Sequence, residues 1–106
     1  MARALIHVPA TAKSGEIIEI KTLISHVMET GFRIGVTGAP IPRDIIDHFV
    51  CTYNGEEVFR AQLHPAIAAN PFISFFTVAK ESGTLTFAWT DQRGETQVQS
   101  AEIKVE

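Results

Sequence analysis

Hydrophobic and polar residues alternate with a period of two along nearly the whole chain. That period places successive side chains on opposite faces of an extended backbone, so it predicts strands. Leu5-Ile6-His7-Val8 reads as a short first strand, closed by Pro9. In the second, Ile18, Ile20, Thr22 and Ile24 share one face, and Glu19 and Lys21 lie on the other. Residues 46–53 predict a third, with Phe49 and Cys51 opposite His48, Val50 and Thr52. Further strands are predicted over residues 58–63, 72–79, 84–90 and 96–105. Leu85, Phe87 and Trp89 align on one face of the sixth. The last is polar, as suits an exposed edge. No stretch has the 3.6-residue period of an amphipathic helix.

The connections carry turn chemistry. Asn54-Gly55 separates two predicted strands, and this pair suits a type I′ turn, which needs positive φ at both central residues. Asp91-Gln92-Arg93-Gly94 turns the chain into the last strand. The longest irregular stretch runs from Ser25 to about Pro42 and contains Gly38-Ala39-Pro40-Ile41-Pro42, where two prolines favour extended backbone. About seven short strands at regular spacing predict an all-β, two-sheet antiparallel sandwich. The 106 residues form a single domain spanning 1–106, a size at which roughly two-thirds of the unfolded surface is hidden on folding.

Charge and composition narrow the function classes. The net charge is −3, and the nine Lys and Arg residues are scattered singly. Nucleic-acid binding is disfavoured, because a phosphate-tracking surface needs clustered cations. One cysteine offers no intramolecular disulfide. No apolar run approaches the roughly 20 residues of a bilayer span, so no membrane insertion is expected. Met1-Ala2-Arg3-Ala4-Leu5-Ile6-His7 does not read as a signal peptide, since His7 and Pro9 interrupt it.

Several residues invite a chemical reading. Cys51 alternates with Phe49 and Tyr53, which predicts a core position where a thiolate is disfavoured; a reactive thiol is the alternative. His7, His26, His48 and His64 stand far apart without metal-ligand spacing, so no metal and no cofactor is expected. His26 with Glu29 could form an acid/base pair. The competing reading is a strand end at which Ser25, Thr30 and their neighbours satisfy loop backbone groups. Gly31, Gly35 and Gly38 lack the Lys-Ser/Thr of a phosphate loop.

Two strands are apolar on both faces. Ile17 and Leu23 fall opposite Ile18, Ile20 and Ile24, while Phe72 and Phe76 fall opposite Ile73 and Phe75. The outer face of a small sandwich should be wet. Either the long loop covers these outward residues or a partner does, with Phe72 and Phe76 as the anchors.

Ser25-His26-Val27-Met28-Glu29-Thr30-Gly31 resembles the Ser-His-Pro-Met-Glu-Thr-Gly signature of the SoxZ family, whose members form the Z subunit of the carrier in bacterial sulfur oxidation. The similarity continues, in collinear order, through Thr52-Tyr53-Asn54-Gly55, Ala61-Gln62, Pro65-Ala66, Asn70-Pro71-Phe72-Ile73-Ser74-Phe75 and Trp89-Thr90-Asp91 with Gly94. Val27 stands where the family has proline, His64 where it has glycine, and residues 34–40 differ. The resemblance implies an immunoglobulin-like sandwich without catalytic residues that pairs with a SoxY-like subunit. In that heterodimer SoxY carries sulfur intermediates of thiosulfate oxidation on a cysteine of a Gly-Gly-Cys-Gly-Gly arm. Ile103-Lys104-Val105-Glu106 does not match that arm, and Cys51 matches an apolar strand position. The resemblance also implies transient contact with other Sox enzymes and a periplasmic location, reached by co-export with the partner. Ile17, Leu23, His26, Met28, Phe72 and Phe76 are the expected partner-binding residues. Two other readings stand beside this one: a generic immunoglobulin-like binding module, and a SoxYZ-like carrier subunit of another pathway.

Overall fold

A computed structural model describes residues 3–64 and 69–106. The Pro65-Ala66 element of the resemblance lies outside the described residues. The alternating segments form β1 (Ala4–His7), β3 (Ile17–Ile24), β4 (Ile46–Tyr53), β5 (Glu56–Gln62), β6 (Phe72–Val78), β7 (Gly83–Asp91) and β8 (Thr96–Val105), with a two-residue β2 (Thr11–Ala12) between the first two. They build two sheets, a three-stranded one ordered β1-β3-β6 and a five-stranded one ordered β2-β8-β7-β4-β5. This is an immunoglobulin-like sandwich. All pairings are antiparallel except β2 with β8, where Thr11 and Ala12 run parallel to Lys104 and Val105. The chain therefore crosses from one sheet to the other between β1 and β2. A two-residue strand has no periodicity to read, which is why seven strands are legible where eight form among the described residues.

Alternation decides the packing. Ile18, Ile20, Thr22 and Ile24 of β3 are buried, as are Phe49, Cys51 and Tyr53 of β4 and Leu85, Phe87 and Trp89 of β7. Phe49 sits at the centre, with ring centroids 5.3 Å from Trp89, 6.0 Å from Phe59, and 6.3 Å from both Phe75 and Phe87. Phe59 of β5 stacks on Phe75 of β6 at 4.3 Å and so ties the two sheets together. Thr22, the one polar residue in this core among the described residues, donates its hydroxyl to the Ile73 carbonyl at 3.1 Å, which offsets its desolvation.

The β4–β5 hairpin closes as its turn chemistry requires, with φ of 50° at Asn54 and 84° at Gly55. The Asn54 carboxamide also reaches β7, where its Oδ1 accepts the Thr84 N–H at 2.9 Å. The last strand is only partly an edge. It is open along most of its length, and β2 caps its end through Lys104 and Val105.

Candidate functional site

The outer face of the three-stranded sheet is where alternation leaves apolar residues in water. Register places Leu5, Leu23 and Phe72 side by side across β1, β3 and β6. Two rungs further along, His7, Lys21 and Ser74 align, then Glu19 with Phe76, and finally Ile17 with Val78. Ile17 is 69% exposed, Phe76 66% and Phe72 61%. Leu23 is half-buried, and Leu5 and Val78 are exposed. Two apolar clusters thus flank a polar centre, in which Ser74 donates to Glu19 at 3.1 Å and Lys21 approaches Glu19 at 3.7 Å. None of the described residues of the 25–44 loop is needed to account for this face, because its exposed residues remain exposed with that loop in place.

The Ser25–Gly31 block, which looks reactive as a string of residue types, is occupied in holding its own backbone. Asn70 Oδ1 accepts the His26 N–H at 2.9 Å, and the Asn70 N–H donates to the His26 carbonyl at 2.7 Å. His26 Nδ1 accepts the Met28 N–H at 3.0 Å. The other ring nitrogen, Nε2, faces Asp44 Oδ1 at 3.5 Å. Met28 is held at a φ of 50°, a conformation that costs a non-glycine residue about 1 kcal/mol or more. Its sulfur accepts the Ile46 N–H at the start of β4, at 3.3 Å.

Glu29 continues this pattern. Its backbone exchanges two 2.8 Å bonds with Asp44, and its carboxylate takes the Arg33 guanidinium at 2.6 Å. The Arg33 hydrogen bond and charge hold the Glu29 carboxyl below its ordinary range against a smaller opposing effect of desolvation. Thr30 Oγ1 accepts the Phe32 N–H at 3.2 Å. Gly31 has a φ of 90°, and a Cβ there would stand 3.1 Å from the Arg43 Cβ. Gly31→Ala is therefore expected to destabilise the domain by about 1–2 kcal/mol through backbone strain and this contact. A denaturant melt, with the midpoint falling at unchanged slope, checks it.

His26 and Glu29 do not meet as an acid/base pair, since each is engaged by other groups. His26 does line a groove of about 500 Å³ at this end of the sandwich, together with Asp44, Trp89, Asp91, Arg93 and Thr96. Arg93 lies 3.6 Å from Asp44 across it, and Asp91 Oδ1 caps the turn by accepting the N–H groups of Arg93 and Glu95. The Trp89 indole N–H is buried without a hydrogen-bond partner among the described residues. Among the described residues no group of three or more His, Cys, Asp and Glu side chains is arranged to hold a metal ion.

Cys51 is fully buried between the sheets, and desolvation pushes its thiol up to about 12. Two results are expected. Alkylation of Cys51 is slow in the folded protein and fast in denaturant, because the thiolate is the nucleophile. Stability also falls as pH rises from about 9 toward about 12. In that window the unfolded chain releases the Cys51 proton and the folded one retains it, so unfolding is favoured. Urea melts across the window, compared with Cys51→Ala, which lacks this component, measure the effect.

The structure thus brings Ile17, Leu23, Phe72 and Phe76 onto one surface. It places His26 and Met28 elsewhere. Met28 is 4% exposed and packs in the core, and the His26 ring is turned into the loop. Both carry the even-numbered phase of Ile18, Ile20, Thr22 and Ile24, the core face of β3, whereas Ile17 and Leu23 carry the odd phase of its outer face. Leu5 and Val78 also belong to the apolar surface; they are absent from the residues expected from the sequence, although their alternation with Ile6 and Thr77 is the signal that finds them. The 25–44 loop presents a separate set of exposed apolar residues, with Phe32 85% exposed.

The fold is similar to that of a substituted form of superoxide reductase (neelaredoxin) from Ignicoccus hospitalis, with a TM-score of 0.73 and 18% identity over 97% of this chain and 79% of that one. A second structure of the Ignicoccus protein gives 0.69 and 18% identity, over 97% and 80% of the two chains. For a candidate superoxide reductase from Thermotoga maritima the values are 0.66 and 18%, with 97% and 85% covered. At this identity the likeness shows the fold alone. No curated protein matches the chain. The model of the family described as sulphur oxidation protein SoxZ matches residues 6–102. That match covers nearly the whole sequence, and the chain belongs to the SoxZ family.

Proposed function

We propose that this SoxZ-family chain is the non-catalytic half of a heterodimeric sulfur carrier, and that it holds a SoxY-like subunit against the outer face of β1-β3-β6. The observation that carries this reading is the exposed apolar surface built from Ile17, Leu23, Phe72 and Phe76. Exposed apolar clusters of this kind on a small domain mark interaction sites, and exposed aromatics are frequent anchors of such sites. His26 and Met28 contribute by fixing the loop and the start of β4, not by lending contact area. The sulfur-bearing cysteine belongs to the partner. Cys51 is inside the core, where a carrier thiol could not be loaded. This chain stabilises the partner, helps present its arm to other Sox enzymes, and reaches the periplasm by co-export with it.

The test is co-expression with a SoxY-like chain in which only one of the two carries an affinity tag. Recovery of an equimolar complex is the expected result. Separate elution, with both chains folded, would defeat the reading. The location is tested by fractionating cells that express both chains or this chain alone; periplasmic recovery only with the partner is expected.

A further inference from the structure

The edge beside that face has a second unsatisfied feature. The β3–β6 register pairs residues whose numbers run in opposite directions from Ile17↔Val78 to Leu23↔Phe72. At one end the Ile24 N–H donates to the Pro71 carbonyl, and at the other the Ala79 N–H donates to the Glu16 carbonyl. In an antiparallel ladder hydrogen-bonded pairs recur at every second residue. Ile73, Phe75 and Thr77 therefore spend their backbone groups on β3. Phe72, Ser74, Phe76 and Val78 turn their N–H and C=O groups away from it, toward the open side. Among the described residues no strand pairs with that side. The residues with free backbone groups are the same ones whose side chains form the apolar face.

Open strand edges are normally blunted by charge, proline, bulges or brevity, and the other edges of this sandwich follow that rule. β5 carries Glu56, Glu57 and Arg60, and its ladder with β4 is interrupted by a register shift between Cys51 and Thr52. β1 has four residues, and β8 is polar and capped by β2. β6 reads Phe72-Ile73-Ser74-Phe75-Phe76-Thr77-Val78, seven residues with no charge and no proline. Such a segment left open is an aggregation hazard.

We infer that the partner subunit adds an extended strand along β6, so that main-chain hydrogen bonds to Phe72, Ser74, Phe76 and Val78 accompany the apolar contact. The inference rests on the heterodimer proposed above. The geometry favours a dissimilar chain over a second copy of this one. Two-fold pairing of β6 with itself would put both outer faces on the same side of one continuous sheet. It would double the wet apolar surface instead of covering it. A dissimilar subunit can complete the edge with one strand and overlie the face with the layer behind that strand.

Hydrogen exchange of the purified heterodimer tests this directly. The Ile73, Phe75 and Thr77 amides are protected by β3 in any case. Strand addition predicts that the Phe72, Ser74, Phe76 and Val78 amides are also slowed, by about 100-fold or more relative to an unstructured chain. Ser74→Pro removes an outward N–H that β3 does not use, and is expected to weaken the heterodimer at least about tenfold more than Ser74→Ala, which removes the same hydroxyl but keeps that N–H. A heterodimer in which these four amides exchange freely would overturn the strand and leave the proposed function standing. Failure to form any heterodimer would remove both. Protection of the four amides in the chain prepared alone, growing with its concentration, would assign the edge to a second copy and also overturn the inference.

Discussion

Phe76→Glu is expected to weaken association with a SoxY-like subunit by roughly 100-fold while leaving this domain folded. Phe76 is 66% exposed, so the isolated fold loses little when it is replaced. Exposed substitutions of this kind typically change stability by less than about 0.5 kcal/mol. At a heterodimer interface the same change removes an aromatic anchor and buries an uncompensated carboxylate, an effect on the order of 3 kcal/mol. Glu19 faces Phe76 across the β3–β6 ladder, so the introduced charge meets a like charge. Phe76→Lys avoids that repulsion and separates it from loss of the anchor. Calorimetric titration of the two subunits, with circular dichroism of the variant alone, measures both halves. Unchanged affinity for both variants would move the interface off this face.

Phe49→Ala is expected to have the largest effect on folding. Its ring touches Phe59, Phe75, Phe87 and Trp89 and is fully buried. Truncation removes the ring's transfer energy and leaves a cavity that two rigid sheets cannot close, at about 3–5 kcal/mol. For a domain of 106 residues this corresponds to a Tm lower by roughly 15 °C or more. A thermal melt of both forms checks it, and a shift of only a few degrees would mean that Phe49 is not the centre of the core. Contrasted with Phe76, this residue divides the aromatics of the chain into those that build the domain and those that face a partner.

Alternation made that division legible before any fold was in view. Phe49, Phe75, Phe87 and Trp89 fall in phase with the core faces, and Phe72 and Phe76 fall out of phase in a strand whose other face is already apolar. The period of two is a local signal, and the strands are long enough to repeat it. Residues 25–31 were not legible in the same way. Their roles depend on Asn70, Asp44 and Ile46, which are distant in sequence, and on a positive φ at Met28 that methionine adopts only when such contacts impose it. Residue types alone leave His26 and Glu29 looking like a chemical pair. The hydrogen bonds make them parts of a clamp that sets where β4 begins. The parallel β2–β8 contact escaped for a third reason, since two residues cannot display a repeat.

Trp89 gives the domain an optical consequence. It is the chain's sole tryptophan, it is 1% exposed, and it lies in the sheet opposite the surface assigned to the partner. Its fluorescence should be blue-shifted in the native state and move to the red on denaturation. It should stay nearly constant when the β1-β3-β6 face is covered. One emission band therefore reports whether the domain is intact, independently of whether its surface is occupied.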